Sequence, residues 1–245
     1  MGTPSAGAIR RSPVHTGRVI RADRLTPRMR RVTVQADGMR DVDIRPAQDV
    51  ELHLREAEGR RVKRRYTIRN ARPESGELDL DFLLHGDGPG ARWGEMAQPG
   101  EQVDFQGPRG KLELRPAKWH LLCGDESALP AIAAIAEALP ESERARAVIE
   151  VRDAADELSV AADVRWVHRG DEHPPGAPEL LASAVAELGL AAPGDTRAYL
   201  MGETRSMVAL RAQLEERGVP HDSIFVKGYW NIARPDRIAG QAPRR

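Results

Sequence analysis

The chain lacks most of what usually marks a site. A single cysteine, Cys123, among 245 residues excludes an internal disulfide. Its apolar setting, Trp119-His-Leu-Leu-Cys-Gly, suits a small core residue better than a nucleophile. The seven histidines are scattered, with no pair at metal-ligand spacing, so no metal site is expected. Aromatics make up only 4% and leave three tyrosines to account for. There is no Gly-x-Gly-x-x-Gly, the fingerprint of an ordinary dinucleotide fold. No apolar run is long enough to span a bilayer and the first residues contain no apolar leader segment, so a cytoplasmic protein without a membrane partner is expected. Net charge is lacking too, with 37 basic and 37 acidic residues, and the global field that would gather nucleic acid is excluded.

What is present divides near residue 115. Residues 1–115 carry 22 basic and 17 acidic side chains, residues 116–245 carry 15 and 20, and the first part is therefore mildly basic, as a receiver of an anionic ligand would be. Up to Leu114 short apolar-alternating runs, at 31–35, 49–54, 64–69, 77–84, 102–105 and 111–114, are broken by Gly, Pro, Asp or Asn. That pattern, with no long helix, predicts an antiparallel β-barrel. The basic stretch from Arg18 to Arg31 reads as strands and a turn with a solvated face, and residues 1–13 read as frayed. Gly107-Pro-Arg-Gly110 reads as a tight turn before the last barrel strand.

After a linker at Arg115-Pro-Ala-Lys118 the period changes. Apolar strands at 120–123, 147–151, 164–168, 198–201 and 224–227 alternate with helices at 131–139, 179–190 and 206–217. This predicts a parallel sheet covered on both faces, with ligands at the carboxyl ends of its strands. Polar residues gather there: Gly124, Asp125, Glu126 and Ser127 after the first strand, Arg152 after the second, Arg169 after the third, Gly202 and Glu203 after the fourth. Taken singly, Asp125 and Ser127 read as helix caps and Arg152 as a surface cation.

Two stretches in the first part carry chemistry. In Val62–Arg69 the alternation of a strand puts Arg64 and Tyr66 on one face and Arg65, Thr67 and Arg69 on the other. A guanidinium beside a phenol ring suits a ligand with a phosphate at one end and a flat ring at the other, although a charged edge strand with a half-buried Tyr has the same sequence. In His85-Gly-Asp-Gly-Pro-Gly-Ala-Arg-Trp93, three glycines let backbone N–H groups approach an anion, and a short helix beginning at Ala91 favours phosphate at its N-terminus. The alternative is a mobile hairpin loop with Trp93 beneath it.

Arg64-x-Tyr66-Thr67 resembles the flavin-binding signature of the ferredoxin reductase-like superfamily. With His85-Gly, Gly88-Pro89 and Trp93, then Gly107-Pro-Arg-Gly110, Gly124-Asp-Glu-Ser-Ala-Leu-Pro-Ala131, Gly202-Glu203 and Gly228-Tyr229-Trp230 in this order, the chain is identified as a member of the siderophore-interacting protein family over about residues 15–232. The resemblance implies an FAD-binding β-barrel domain at 15–115 and an NAD(P)H-binding α/β domain at 116–245. It implies a reductase passing electrons from NADPH or NADH through FAD to Fe(III) in a siderophore, with Fe(II) released because hard oxygen chelators hold it less tightly. Arg64 would meet the FAD pyrophosphate, Tyr66 would stack on its ring and Thr67 would sit near N5, the last two being the catalytic candidates. His85, Gly88 and the backbone of Pro89, Gly90 and Ala91 would also hold FAD, with Trp93 packed beneath. Gly124, Asp125, Glu126, Ser127, Arg152, Gly202 and Glu203 would face the nucleotide. The cations near the flavin strand, Lys63, Arg65, Arg69 and Arg234, form a candidate rim for the ferric siderophore.

Departures from the family pattern are Ala91 for a Ser, Ser127 for a Thr, and Asn231-Ile-Ala-Arg234 for Arg-Arg-Gly. A ferredoxin- or flavodoxin-like protein is the alternative electron partner, and a non-catalytic siderophore or nucleotide carrier a further alternative. A monomer is expected.

Overall fold

The computed structural model describes residues 13–56, 59–190 and 192–233. Strands β1 (Val14–Thr26), β2 (Met29–Gln35), β3 (Asp49–Arg55), β4 (Arg61–Arg72), β5 (Glu77–Leu83) and β6 (Gln102–Arg109) form a closed barrel in the order β1-β2-β5-β4-β3-β6. Alternation explains it. Val50, Leu52 and Leu54 of β3 and Leu78, Leu80 and Phe82 of β5 point into one core. The opposite face of β5 carries Asp79 and Asp81, which are buried beneath the guanidinium forks of Arg72 and Arg31. Helix α1 (Pro89–Met96) lies between β5 and β6.

The remaining strands, β7 (Trp119–Asp125), β8 (Arg144–Val151), β9 (Asp163–His168), β10 (Thr196–Glu203) and β11 (Ile224–Trp230), make a parallel sheet ordered β11-β10-β7-β8-β9. Helix α2 (Leu129–Ala138) covers one face over Leu122, Ile149 and Tyr199. Helices α3 (Pro178–Ala186) and α4 (Thr204–Glu216) cover the other over Leu121, Val148 and Leu200. Cys123 is fully buried there, and burial pushes its thiol up to about 12, as befits a core residue. The barrel-plus-parallel-sheet architecture is the one expected from the periodicity. Among the described residues no helix is long and apolar enough to cross a membrane.

Two expectations for the barrel need correction. Residues 107–109 continue β6, with Arg109 paired to Asp49 of β3 across an irregularity in register, and do not form a turn. Gly107, at φ +151°, supplies the conformation this irregularity requires. Residues 111–114 form no strand, because β6 already pairs with β1 and β3 and the closed barrel offers no edge. They belong to an extended connection, and Leu112 and Leu114 pack into the α2-side core instead. The third helix is shorter than expected, ending at Ala186.

That α2-side core is shared between the two units. Met29 and Ala47 of the barrel are buried in it, and Leu25 and Leu83 pack against it. Arg28 reaches Asp156 (2.6 Å) and Asp153 (2.6 Å), and Arg69 forks onto Glu137 of α2 (2.7 Å for the Nη1 bond).

Candidate functional site

A cleft of about 860 Å³ opens between the barrel and the carboxyl ends of β7 and β11. Pairing of β4 with β3 sets Tyr66 opposite Val50 and Arg64 opposite Leu52, while Thr67 faces Asp49 and Arg65 faces Glu51. All four β4 residues border the cleft.

Tyr66 is held rigidly. Phe82 lies behind its ring at a centroid distance of 4.1 Å, and Trp93 backs Phe82 at 5.2 Å. Burial pushes the Tyr66 phenol up, against the pull of the Arg64 charge, so it is neutral at ordinary pH. The backbone of α1 rests on its hydroxyl: a Cβ at Gly90 would collide with Tyr66 Oη. Arg64 donates to Lys63 O at 3.0 Å and has no carboxylate within ion-pair distance among the described residues.

Beside them, Gly88 caps α1 without a side-chain hydrogen bond and Pro89 occupies its first turn. Side chains at Gly86 or Gly88 would meet only open space. First-turn N–H groups are thus offered with no side-chain acceptor, which suits an anion. His85, Gly88, Pro89, Gly90 and Ala91 all line the cleft, and His85 is exposed.

The opposite wall comes from β11. Lys227 Nζ lies 2.9 Å from Asp49 Oδ2 and 5.1 Å from the Tyr229 ring centre, and Tyr229 Oη lies 3.3 Å from Thr67 Oγ1. Burial alone would lower the Lys227 ammonium, yet Tyr229 and Asp49 outweigh it and the pKa is raised. Asp49 Oδ1 is buried without a hydrogen-bond partner among the described residues. Sequence reasoning missed Asp49 and Lys227, and quoted Tyr229 without a role. The available signal was one of three tyrosines following Lys-Gly at the end of the last strand.

The other candidates lie as follows. Trp93 stands behind Phe82, outside the cleft lining. Glu126 and Ser127 line the cleft, whereas Gly124, Asp125, Gly202 and Glu203 are buried beside it. Arg152 is paired with Asp171, and Arg169 is buried between Glu126 (3.0 Å) and Glu150 (3.6 Å). Of the proposed rim, Arg65 borders the cleft, Lys63 is bound to Glu51 (2.9 Å), and Arg69 is bound to α2. Arg234 lies outside the described residues.

A cleft of this volume with a supported aromatic face, a guanidinium that meets no carboxylate among the described residues and a helix start without a side-chain cap fits a dinucleotide-sized ligand with a flat ring, as FAD has. Barrel and parallel sheet together define the ferredoxin reductase-like class. The ferredoxin reductase of carbazole 1,9a-dioxygenase shares this fold, with a TM-score of 0.71 over 89% of this chain and 69% of that one at 21% identity. Two family models match: "Siderophore-interacting FAD-binding domain" over residues 47–112 and "Siderophore-interacting protein" over 117–233. The chain belongs to the siderophore-interacting protein family. The ferric vibriobactin reductase ViuB of Vibrio cholerae is 35% identical over 204 residues, spanning 80% of this chain and 73% of ViuB. A siderophore utilization protein from T. fusca superposes with a TM-score of 0.83 at 29% identity over 97% of both chains. The siderophore-interacting protein SipS from Aeromonas hydrophila does so with a TM-score of 0.77 at 27% identity, over 90% of this chain and 92% of SipS.

Proposed function

We propose that the protein is an FAD-dependent reductase that passes electrons from a reduced nicotinamide nucleotide to Fe(III) held by a siderophore, releasing Fe(II) in the cytoplasm. The observation that carries this is the Tyr66 ring, backed by Phe82 and set beside an Arg64 that has no carboxylate partner among the described residues, at the start of α1, which has no side-chain cap. The activity named for ViuB supports the acceptor. In this reading residues 15–115 are the FAD-binding domain, residues 116–245 the domain facing the donor, and a monomer suffices.

Bound FAD would supply single-electron transfer from a two-electron reservoir, which a ferric chelate requires. The protein's part is to hold it. Arg64 and the first-turn N–H groups of α1 would meet the pyrophosphate, Tyr66 would support the ring, and Thr67, 3.3 Å from Tyr229 Oη, would offer its hydroxyl to the ring. Arg64 and Arg65 border this mouth, Arg65 lying 3.8 Å from Glu51 and Lys227 being paired with Asp49, and Fe(III) would keep its chelate oxygens because no iron ligands are needed from the chain.

The test uses the full chain loaded with FAD and reduced by dithionite without oxygen. Ferric siderophore should reoxidise the flavin while a colorimetric chelator traps Fe(II). Reoxidation no faster than in siderophore-free buffer would overturn the reading.

A further inference from the structure

The sheet order β11-β10-β7-β8-β9 changes direction at β7: β8 and β9 build outwards on one side, β10 and β11 on the other. In an open parallel sheet such a switch point leaves a crevice beyond the carboxyl ends of its two strands, and a nucleotide sits there with its phosphates on a helix N-terminus. Here the chain's own groups fill that place. Asp125, ending β7, accepts bonds from Ser127 N (2.9 Å), Glu203 N (2.7 Å) and Trp230 Nε1 (2.9 Å). Glu203, ending β10, caps α4 itself, with Oε2 accepting from Arg205 N (2.6 Å) and Ser206 N (2.9 Å). The N–H groups of Ser127 at the end of β7 and of Arg205 and Ser206 on α4 are therefore occupied by carboxylates, and a phosphate approaching them would meet like charge.

The glycines at these strand ends serve the same packing. A Cβ at Gly202 would lie 2.5 Å from Asp125 Oδ2, and one at Gly124 would strike Met201 O. Trp230 closes the top, with its ring against Gly176, where a Cβ would come within 2.8 Å of Trp230 Cζ2. The two arginines that could reward a 2′-phosphate are committed, Arg152 to Asp171 and Arg169 to Glu126 and Glu150. Arg205, exposed on the first turn of α4, has no ion-pair partner among the described residues, but it follows the capping carboxylate by two positions.

We propose that the protein recognises its reductant without the adenosine half: the switch point holds neither pyrophosphate nor 2′-phosphate, and a reduced nicotinamide ring reaches the flavin wall through the open cleft alone. This rests on the flavin reading above and sets its donor specificity. NADPH, NADH and reduced nicotinamide mononucleotide should then be equivalent donors.

The experiment has two arms, both on the FAD-loaded full chain. Calorimetric titration with 2′,5′-ADP, a probe able to use Arg205, should show no saturation below the millimolar range, whereas micromolar binding would overturn the inference. Anaerobic flavin bleaching by the three reduced nucleotides should be linear in concentration with rates within about threefold, and a preference of about tenfold or more for NADPH or NADH over the mononucleotide would overturn it equally. Failure of all three to bleach the flavin would count against the nicotinamide donor proposed above, and the titration would still decide the phosphate question.

Discussion

Tyr66 presents one face to the cleft because Phe82 and Trp93 fill the space behind the other, and because residue 90 has no side chain. Gly90→Ala should improve α1 by roughly 1 kcal/mol in helix propensity while driving its new methyl into a ring that cannot retreat. The expected outcome is FAD retention reduced by about tenfold after dialysis, with an unchanged far-ultraviolet circular dichroism spectrum. Arg64→Ala removes a charge-assisted contact worth about 1.5–3 kcal/mol and should weaken FAD by tenfold or more; a variant that keeps all its flavin would remove Arg64 from the site. Glu150 makes a different prediction. It is fully buried, and burial, with Asp125 and Glu126 nearby, raises its pKa from 4.5 to about 7 despite the bond from Gly176 N and the charge of Arg169. The folded state therefore holds an extra proton between those values, so stability falls as pH rises through that window. Glu150→Gln should match the parent in unfolding free energy near the bottom of the window and exceed it above pH 7, by an amount on the order of 3 kcal/mol or less, as urea melts at the two pH values would measure. At this scale alternation put Arg64 and Tyr66 on one strand face, and only the family resemblance marked them for a flavin. Asp49 and Lys227 were not legible, because their contact joins strands 178 positions apart and neither residue is unusual in its own stretch.

Elements were legible wherever period and punctuation agreed, and misread where a neighbour decided. The run at 111–114 alternates like a strand, yet alternation specifies a strand only if an unpaired edge awaits it, and closure of the barrel removes that edge. The parallel strands were clear because both faces are covered, which forces continuous apolar runs. Contacts between elements of the two units follow no local rule, and the turn between β1 and β2 shows this. Arg28, on that turn, grips Asp156 and Asp153, and Asp156, only 4% exposed, also accepts from Thr26 Oγ1 at 3.2 Å. Asp156→Ala should therefore lower stability by roughly 1–3 kcal/mol, with Asp153 remaining as the cation's partner. A urea melt would show it as a shifted midpoint with unchanged slope, and an unshifted midpoint would mean that this contact contributes nothing net.

On the scale of the molecule, the cleft belongs to neither unit alone, since the barrel gives Arg64–Thr67 and the 85–91 loop while β11 gives Lys227–Trp230. A ligand seated there couples the two: at a hundredfold excess over its Kd, FAD should add about 2.7 kcal/mol to unfolding and draw both units into one transition. Scanning calorimetry with and without FAD measures this, and an FAD-independent melting curve would refute it. The barrel half of that cleft was legible in the sequence because its glycines and its Arg-x-Tyr-Thr are local patterns, whereas the β11 half arises only when the sheet is assembled. That ordering has a consequence for biosynthesis. Because β11 follows the other described strands in the chain, a ribosome finishes the barrel long before it finishes this wall of the proposed flavin site. On the proposed flavin reading, cofactor loading would be a late event in the life of the polypeptide, and a chain stalled before residue 224 should emerge with a folded barrel that is colourless.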